Sequence, residues 1–135
     1  ARFLEEERTL TCATNGHDGF PHLMPLWYLV RGGDVWAWTF AKSQKVRNLE
    51  RDQRATLQVE AGVRYEELRG AMLACDVTIH RGLDTVLGVG LDLAARYGLD
   101  ERPLRTQAPK RVALEFRVRR VASFDHRLFS MAPKR

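Results

Sequence analysis

Cysteine is scarce in this 135-residue chain: only Cys12 and Cys75, with no CxxC pair. That excludes a disulfide-stapled scaffold and a cysteine zinc site, and both thiols read as reduced core groups. No apolar run approaches the ~20 residues of a membrane-spanning helix. The acidic stretch Glu5-Glu6-Glu7 is the opposite of the basic start of a secretory signal. The expectation is a cytoplasmic protein with no membrane partner. The four histidines, His17, His22, His80 and His126, show neither HxH nor HExxH spacing, so no metal site is expected. A GxSxG elbow is missing, which leaves a catalytic triad without support. Gly88-Val89-Gly90 lacks a third glycine and falls inside a helical pattern, so it is not a dinucleotide loop.

What is present is a composition 44% apolar and 29% charged, enough for one domain over 1–135 with its own core. The net charge of +5 conceals an asymmetry. Residues 1–101 hold 12 basic against 15 acidic groups, whereas residues 102–135 hold 10 basic groups against Glu115 and Asp125 alone. A clustered positive field fits an anionic partner, whether nucleic acid, a phosphorylated cofactor or an acidic tail; it fits a solvated strand face equally well. Nucleic acid is the weaker option, because the aromatic residues lie in other strands than Arg117, Arg119 and Arg120.

Periodicity divides the chain into six strands and two helices. Arg8–Thr14 alternates loosely and meets the turn Asn15–Gly19. His22–Val30 is apolar on both faces and reads as a buried strand, with Pro25 pointing to an edge or a bulge. After Arg31–Asp34 turns the chain, Val35–Phe40 completes a three-stranded meander. Ser43 can cap a helix with Val46 and Leu49 inward. Arg54–Ala61 and Ala71–Ile79 alternate as strands. From Asp84 to Tyr97 the spacing is helical, with Gly98 as the stop. Residues 103–109 read as a loop and Arg111–Phe124 as a long last strand. Six mostly antiparallel strands with one helical crossover favour a closed barrel, which removes exposed edges.

Two places can carry chemistry. At the strand-to-helix junction Thr39–Asn48, Lys42, Ser43 and Lys45 can hold a phosphate beside the Thr39 hydroxyl; the alternative is an ordinary capped helix with surface lysines. The wall made by Met24, Pro25, Leu26, Trp27 and Tyr28 with Trp36 and Trp38 can line a slot for a flat ring, or it can be core.

The order of these blocks resembles the pyridoxamine-phosphate-oxidase-like split barrels. The residues that carry the resemblance are Gly19-Phe20-Pro21-His22, Pro25-Leu26-Trp27-Tyr28, Lys45-Val46-Arg47-Asn48-Leu49 running on to Arg54-Ala55, Tyr65 to Gly70, and Arg111 to Leu114. The resemblance implies a mainly β fold, a six-stranded antiparallel split β-barrel with two or more helices. It also implies a homodimer that binds FMN or the deazaflavin coenzyme F-420 in clefts at the dimer interface. Carried over by position, Lys45 matches the phosphate-binding lysine, Ser43 and Gln44 its flanking loop, and Thr39 the strand end beside the ring. Met24, Pro25, Leu26 and Trp27 match the strand whose backbone faces the ring edge. The Lys-Val-Arg-Asn-Leu form looks more like the deazaflavin branch. The chain departs from the family pattern at Gln53, where a proline is usual, and at Ala74-Cys75-Asp76, where many members carry a glycine. The implied activity is hydride transfer to or from a small organic substrate, with a flavin carrier or sensor as the alternative. Tyr28, Tyr65 and His126 are possible proton donors, and spacing selects none of them.

Overall fold

The computed structural model describes residues 2–130, so the end of the basic segment, 131–135, lies outside the described residues. In chain order the elements are α1 (Arg2–Glu6), β1 (Leu10–Asn15), β2 (Pro21–Leu26), β3 (Leu29–Arg31), β4 (Asp34–Phe40), α2 (Gln44–Arg51) and β5 (Arg54–Ala61). They continue with β6 (Arg69–His80), α3 (Leu83–Tyr97), α4 (Glu101–Gln107), β7 (Arg111–Asp125) and α5 (Arg127–Ser130). No helix among the described residues is long and apolar enough to cross a membrane.

Seven strands form where six were expected, because the apolar run His22–Val30 is two strands. Trp27 and Tyr28 leave the ladder between β2 and β3. Pro25 lies on an edge strand as expected, since β2 pairs with β1 alone. The run is not buried on both faces: Leu23 and Met24 are exposed. The stretch 103–109 is also not a loop. The Asp100 carboxylate accepts the Arg102 N–H at 3.0 Å and caps α4, and Pro103 sits in the first turn, where its missing N–H is not needed.

All strand pairs are antiparallel, in the order β2-β1-β5-β6-β7-β4-β3. The two ends of this sheet, β2 and β3, are consecutive in the chain. Leu26 and Leu29 are three residues apart and so within about 11 Å. The sheet therefore rolls up until its ends meet, and the barrel is split along Trp27–Tyr28. Core composition shows the same curl. Leu10 and Cys12 of β1 share one cluster with Leu57 and Val59 of β5, Leu73 and Val77 of β6, Leu114 and Phe116 of β7, and Val35 and Ala37 of β4. Each strand contributes alternate residues, so one face of the sheet is the barrel interior.

A second cluster lies on the outer face under α3, where Val86, Val89 and Leu93 pack with Ala113, Trp36 and Trp38. The approach is tight at Gly90, where a Cβ would stand 2.4 Å from the Trp38 ring. The helix ends at Gly98, whose φ of 68° is the left-handed cap that glycine adopts without strain. Tyr97, in the last turn of α3, pins the split. Its hydroxyl accepts the Tyr28 N–H at 3.1 Å and lies 2.8 Å from the Arg8 carbonyl, and its ring stacks on Trp27 at 4.4 Å.

Candidate functional site

The site is built at the junction of β4 and α2. Thr39 is the last inward-facing residue of β4. Ser43 then takes an extended conformation and its Oγ accepts the Val46 N–H, which caps the helix. The first two turns of α2 bury Lys45, Val46, Asn48 and Leu49. Val46 and Leu49 fill the barrel mouth. Asn48 Nδ2 donates to Thr14 Oγ1 at 3.0 Å, while its Oδ1 accepts from Gln44 and Arg51, which fixes the rotation of α2 against β1.

With the helix so held, Lys45 is only 5% exposed and its Nζ donates to Thr39 Oγ1 at 3.1 Å. Burial pushes its pKa down, Cys12 draws it partly back up, and Arg111 pushes it down further. Among the described residues Lys45 forms no ion pair with a carboxylate. A buried ammonium with one hydroxyl partner is an unbalanced charge.

Lys45 and Thr39 lie at the wall of a cleft of about 460 Å³ lined by Thr9, Met24, Pro25, Leu26, Trp27, Trp38, Leu93, Leu104, Gln107 and Arg111. The cleft lies at the barrel split, between β2 on one side and β4, α3 and α4 on the other. None of its lining residues is acidic. A larger apolar hollow of about 610 Å³ lies elsewhere, against Phe3, Leu73, Val121 and Phe124, and contains no residue of this junction.

Of the residues singled out by sequence, Met24, Pro25, Leu26, Trp27, Trp38, Thr39 and Lys45 meet at this cleft, whereas Tyr28 and Trp36 of the expected aromatic wall do not line it. Lys42, Ser43 and Gln44 do not line it. Lys42 and Gln44 are exposed, Gln44 bonds Asn48, and the Ser43 oxygen caps the helix. None of the three possible proton donors lines the cleft. The Tyr28 hydroxyl lies 2.5 Å from the Leu4 carbonyl and 3.0 Å from that of Glu7, and burial pushes its pKa up to about 12. Tyr65 and His126 pack on each other at 4.5 Å away from the cleft. Cys12 and Cys75 are free and buried, as expected of core thiols.

Sequence reasoning passed over Leu93, Leu104, Gln107 and Arg111. Arg111 was visible as the first residue of an alternating strand and of a block that carries the resemblance, with no role assigned to it. It stacks over Phe40 at 3.9 Å and Trp38 at 4.9 Å, and burial lowers its pKa. Arg117 and Arg119, candidates for nucleic-acid contact, bond instead to Thr78 and Asp76 on β6. The bulge opposite Ala74 and Cys75 falls at the stretch where the chain departs from the family pattern.

Two cations, no acid, a hydroxyl and apolar aromatic walls fit a ligand with a flat ring at one end and a phosphate at the other. The family model described as Pyridoxamine 5'-phosphate oxidase matches residues 1–125. Among solved structures, a conserved hypothetical protein from Mycobacterium tuberculosis is 35% identical, with a TM-score of 0.84 over 99% of this chain and 87% of that one. An F420 reductase is 20% identical, with a TM-score of 0.73 over 90% of this chain and 94% of the other. HutZ, a heme storage protein from Vibrio cholerae, is 13% identical, with a TM-score of 0.73 over 92% and 89%. The last two likenesses show the fold alone. No curated protein matches the chain.

Proposed function

The chain belongs to the pyridoxamine 5'-phosphate oxidase family, and from that premise we propose that it is an oxidoreductase that holds FMN or the deazaflavin coenzyme F-420 in the cleft at the barrel split. The observation that carries the reading is Lys45, a buried cation without a carboxylate at the wall of an aromatic cleft. When bound, such a cofactor supplies hydride transfer to or from a small organic substrate.

The chain's own residues bind and orient. Lys45 Nζ has donors left over after Thr39 and neutralises the phosphate. Trp27 and Trp38 give the cleft dry, flat walls, and Tyr97 stacked behind Trp27 keeps that wall from turning. Along β2 the backbone groups facing away from β1 have no strand partner, and they offer hydrogen bonds to the polar edge of a ring. None of the lining residues is a carboxylic acid, histidine or tyrosine. Proton transfer in turnover then falls to solvent or substrate. The same feature also suits a protein that only carries or senses flavin, and multiple turnovers with a reductant separate the two.

The homodimer belongs to the same proposal. Edge strand β2 exposes Leu23 and Met24, and Trp27 and Phe40 are exposed beside the cleft. An unpaired apolar edge of this kind is an association surface. Light scattering is expected to return twice the chain mass, and a monomer at micromolar concentration overturns that part.

Titration with FMN and with F-420, followed by cofactor fluorescence, tests the main reading. At least one is expected to bind, and Lys45→Ala to weaken it by about 1.5–3 kcal/mol, the range of a lost charged hydrogen bond. Binding of neither cofactor, or an unchanged affinity in the variant, contradicts the assignment.

A further inference from the structure

Lys45 is not the only cation of the cleft without an acid. Arg111 begins β7 beside Phe40 of β4, and both it and Lys45 line the cleft. Its guanidinium is sandwiched against the rings of Phe40 and Trp38. One Nη donates to Gln107 Oε1 at 2.6 Å, while Nε is buried with no acceptor among the described residues. Gln107 closes α4 and also lines the cleft.

The chemistry of this arrangement is that of an incomplete receptor. A planar guanidinium held flat by two rings and steered by an amide oxygen is pre-organised to meet oxygen atoms of an anion. A guanidinium carries five N–H donors, and the bond to Gln107 uses one of them. Two like charges in one cleft also repel, and burial together with Arg111 pushes the Lys45 pKa down. A single negative charge relieves only part of this imbalance, whereas two relieve it fully.

We propose that Arg111, set in place by Gln107, is a second anion-binding residue of the cleft, which therefore selects ligands whose phosphoryl end presents two negative charges over ligands with an uncharged end. The proposal rests on the phosphate reading of the site and deepens it: Arg111 determines specificity and Gln107 is a positioning residue. The two charges can lie on one phosphomonoester, as in FMN, or on a phosphodiester and a neighbouring acid, so both cofactors are paired with uncharged parents in the test.

The test compares affinities of the full chain for FMN against riboflavin, and for F-420 against its ribityl precursor without the phosphoryl tail. Arg111→Met, which keeps an apolar stem over the rings, is expected to lower affinity for the charged member by about tenfold or more. It should leave the uncharged parent within about twofold, while Arg111→Lys retains most of the preference and shows that the fold tolerates the position. Gln107→Ala should reduce the charged-to-uncharged ratio less, and have no further effect in the Arg111→Met background. Equal losses for both members of a pair, or no loss for either, overturn the proposal. If Lys45→Met alone abolishes the preference, the cofactor reading stands and the role of Arg111 falls. If the native chain binds no flavin, the cofactor reading falls, and melting with pyrophosphate decides this one. A rise in Tm that Arg111→Met removes supports it, and no rise in the native chain overturns it.

Discussion

Lys45 shows how a single residue can sit against the stability of its own fold. Its charge is withdrawn from water with only the Thr39 hydroxyl in return. Lys45→Met is therefore expected to raise the stability of the ligand-free protein, by on the order of 1 kcal/mol, while weakening cofactor binding. Urea denaturation without and with cofactor checks both halves. The sign with pH follows from the lowered pKa. The folded state holds the Lys45 proton less tightly than the unfolded chain, so the penalty is present in full at neutral pH and fades as pH approaches the ordinary value of 10.5. The stretch Lys45-Val46-Arg47-Asn48-Leu49 also shows what sequence conceals. Hydrophobic spacing points Val46 and Leu49 inward correctly, but Lys45 and Asn48 share that buried face, and polarity assigns them to water. Only the resemblance separates Lys45 from a surface lysine. The resemblance gives Arg111 no role, and its partners are distant in sequence: Phe40 and Trp38 come from β4 and Gln107 from α4.

At the scale of elements, the packing of α3 positions the cleft. Tyr97 holds the chain where it crosses from β2 to β3. Tyr97→Phe keeps the stacking and removes the hydroxyl, leaving the Tyr28 N–H without its partner. A loss of about 1–3 kcal/mol is expected, together with weaker cofactor binding through Trp27. Gly90→Ala should also destabilise, despite the higher helix propensity of alanine, since its methyl group would press on Trp38. About 1–3 kcal/mol is the range for such overpacking. A midpoint of denaturation equal to or above that of the native chain would refute either expectation. Strand β5 was legible to the residue from alternation. The split of His22–Val30 was not, because Trp27 and Tyr28 continue the apolar run while their backbone follows contacts from α1 and α3. The helix over 101–107 was hidden by Pro103, a breaker except in the first turn.

For the whole molecule the buried thiols and phenol set the alkaline limit. Cys12 and Cys75 have ordinary values of 9.0 and Tyr28 of 10.0, and burial pushes all three up to about 12. Between these limits the folded state binds more protons than the unfolded chain, so stability falls as pH rises from about 9 towards 12. Lys45 acts in the opposite direction but is one group against three. Urea midpoints at pH 7.5 and 10.5 should show the decline, and Cys12→Ala with Cys75→Ala should flatten it; an undiminished slope in that variant removes the thiols as its cause. The barrel itself was legible from the count and alternation of strands. Its seam was not, since the pairing of distant strands leaves no local mark.

The strand order has a consequence for how the chain reaches this state. Among the described residues β7 comes last in the chain, lies between β6 and β4, and carries the one ladder that joins the β2-β1-β5-β6 half to the β4-β3 hairpin. Until it arrives, the first hundred residues hold two sheets with open edges and a helix that has Trp36 and Trp38 to cover but lacks Ala113 beneath it. Such a chain is expected to fold late and all at once, with a slow, single-phase refolding rate set by long-range closure. A chain cleaved after Gly98 should regain the barrel only when both fragments are mixed.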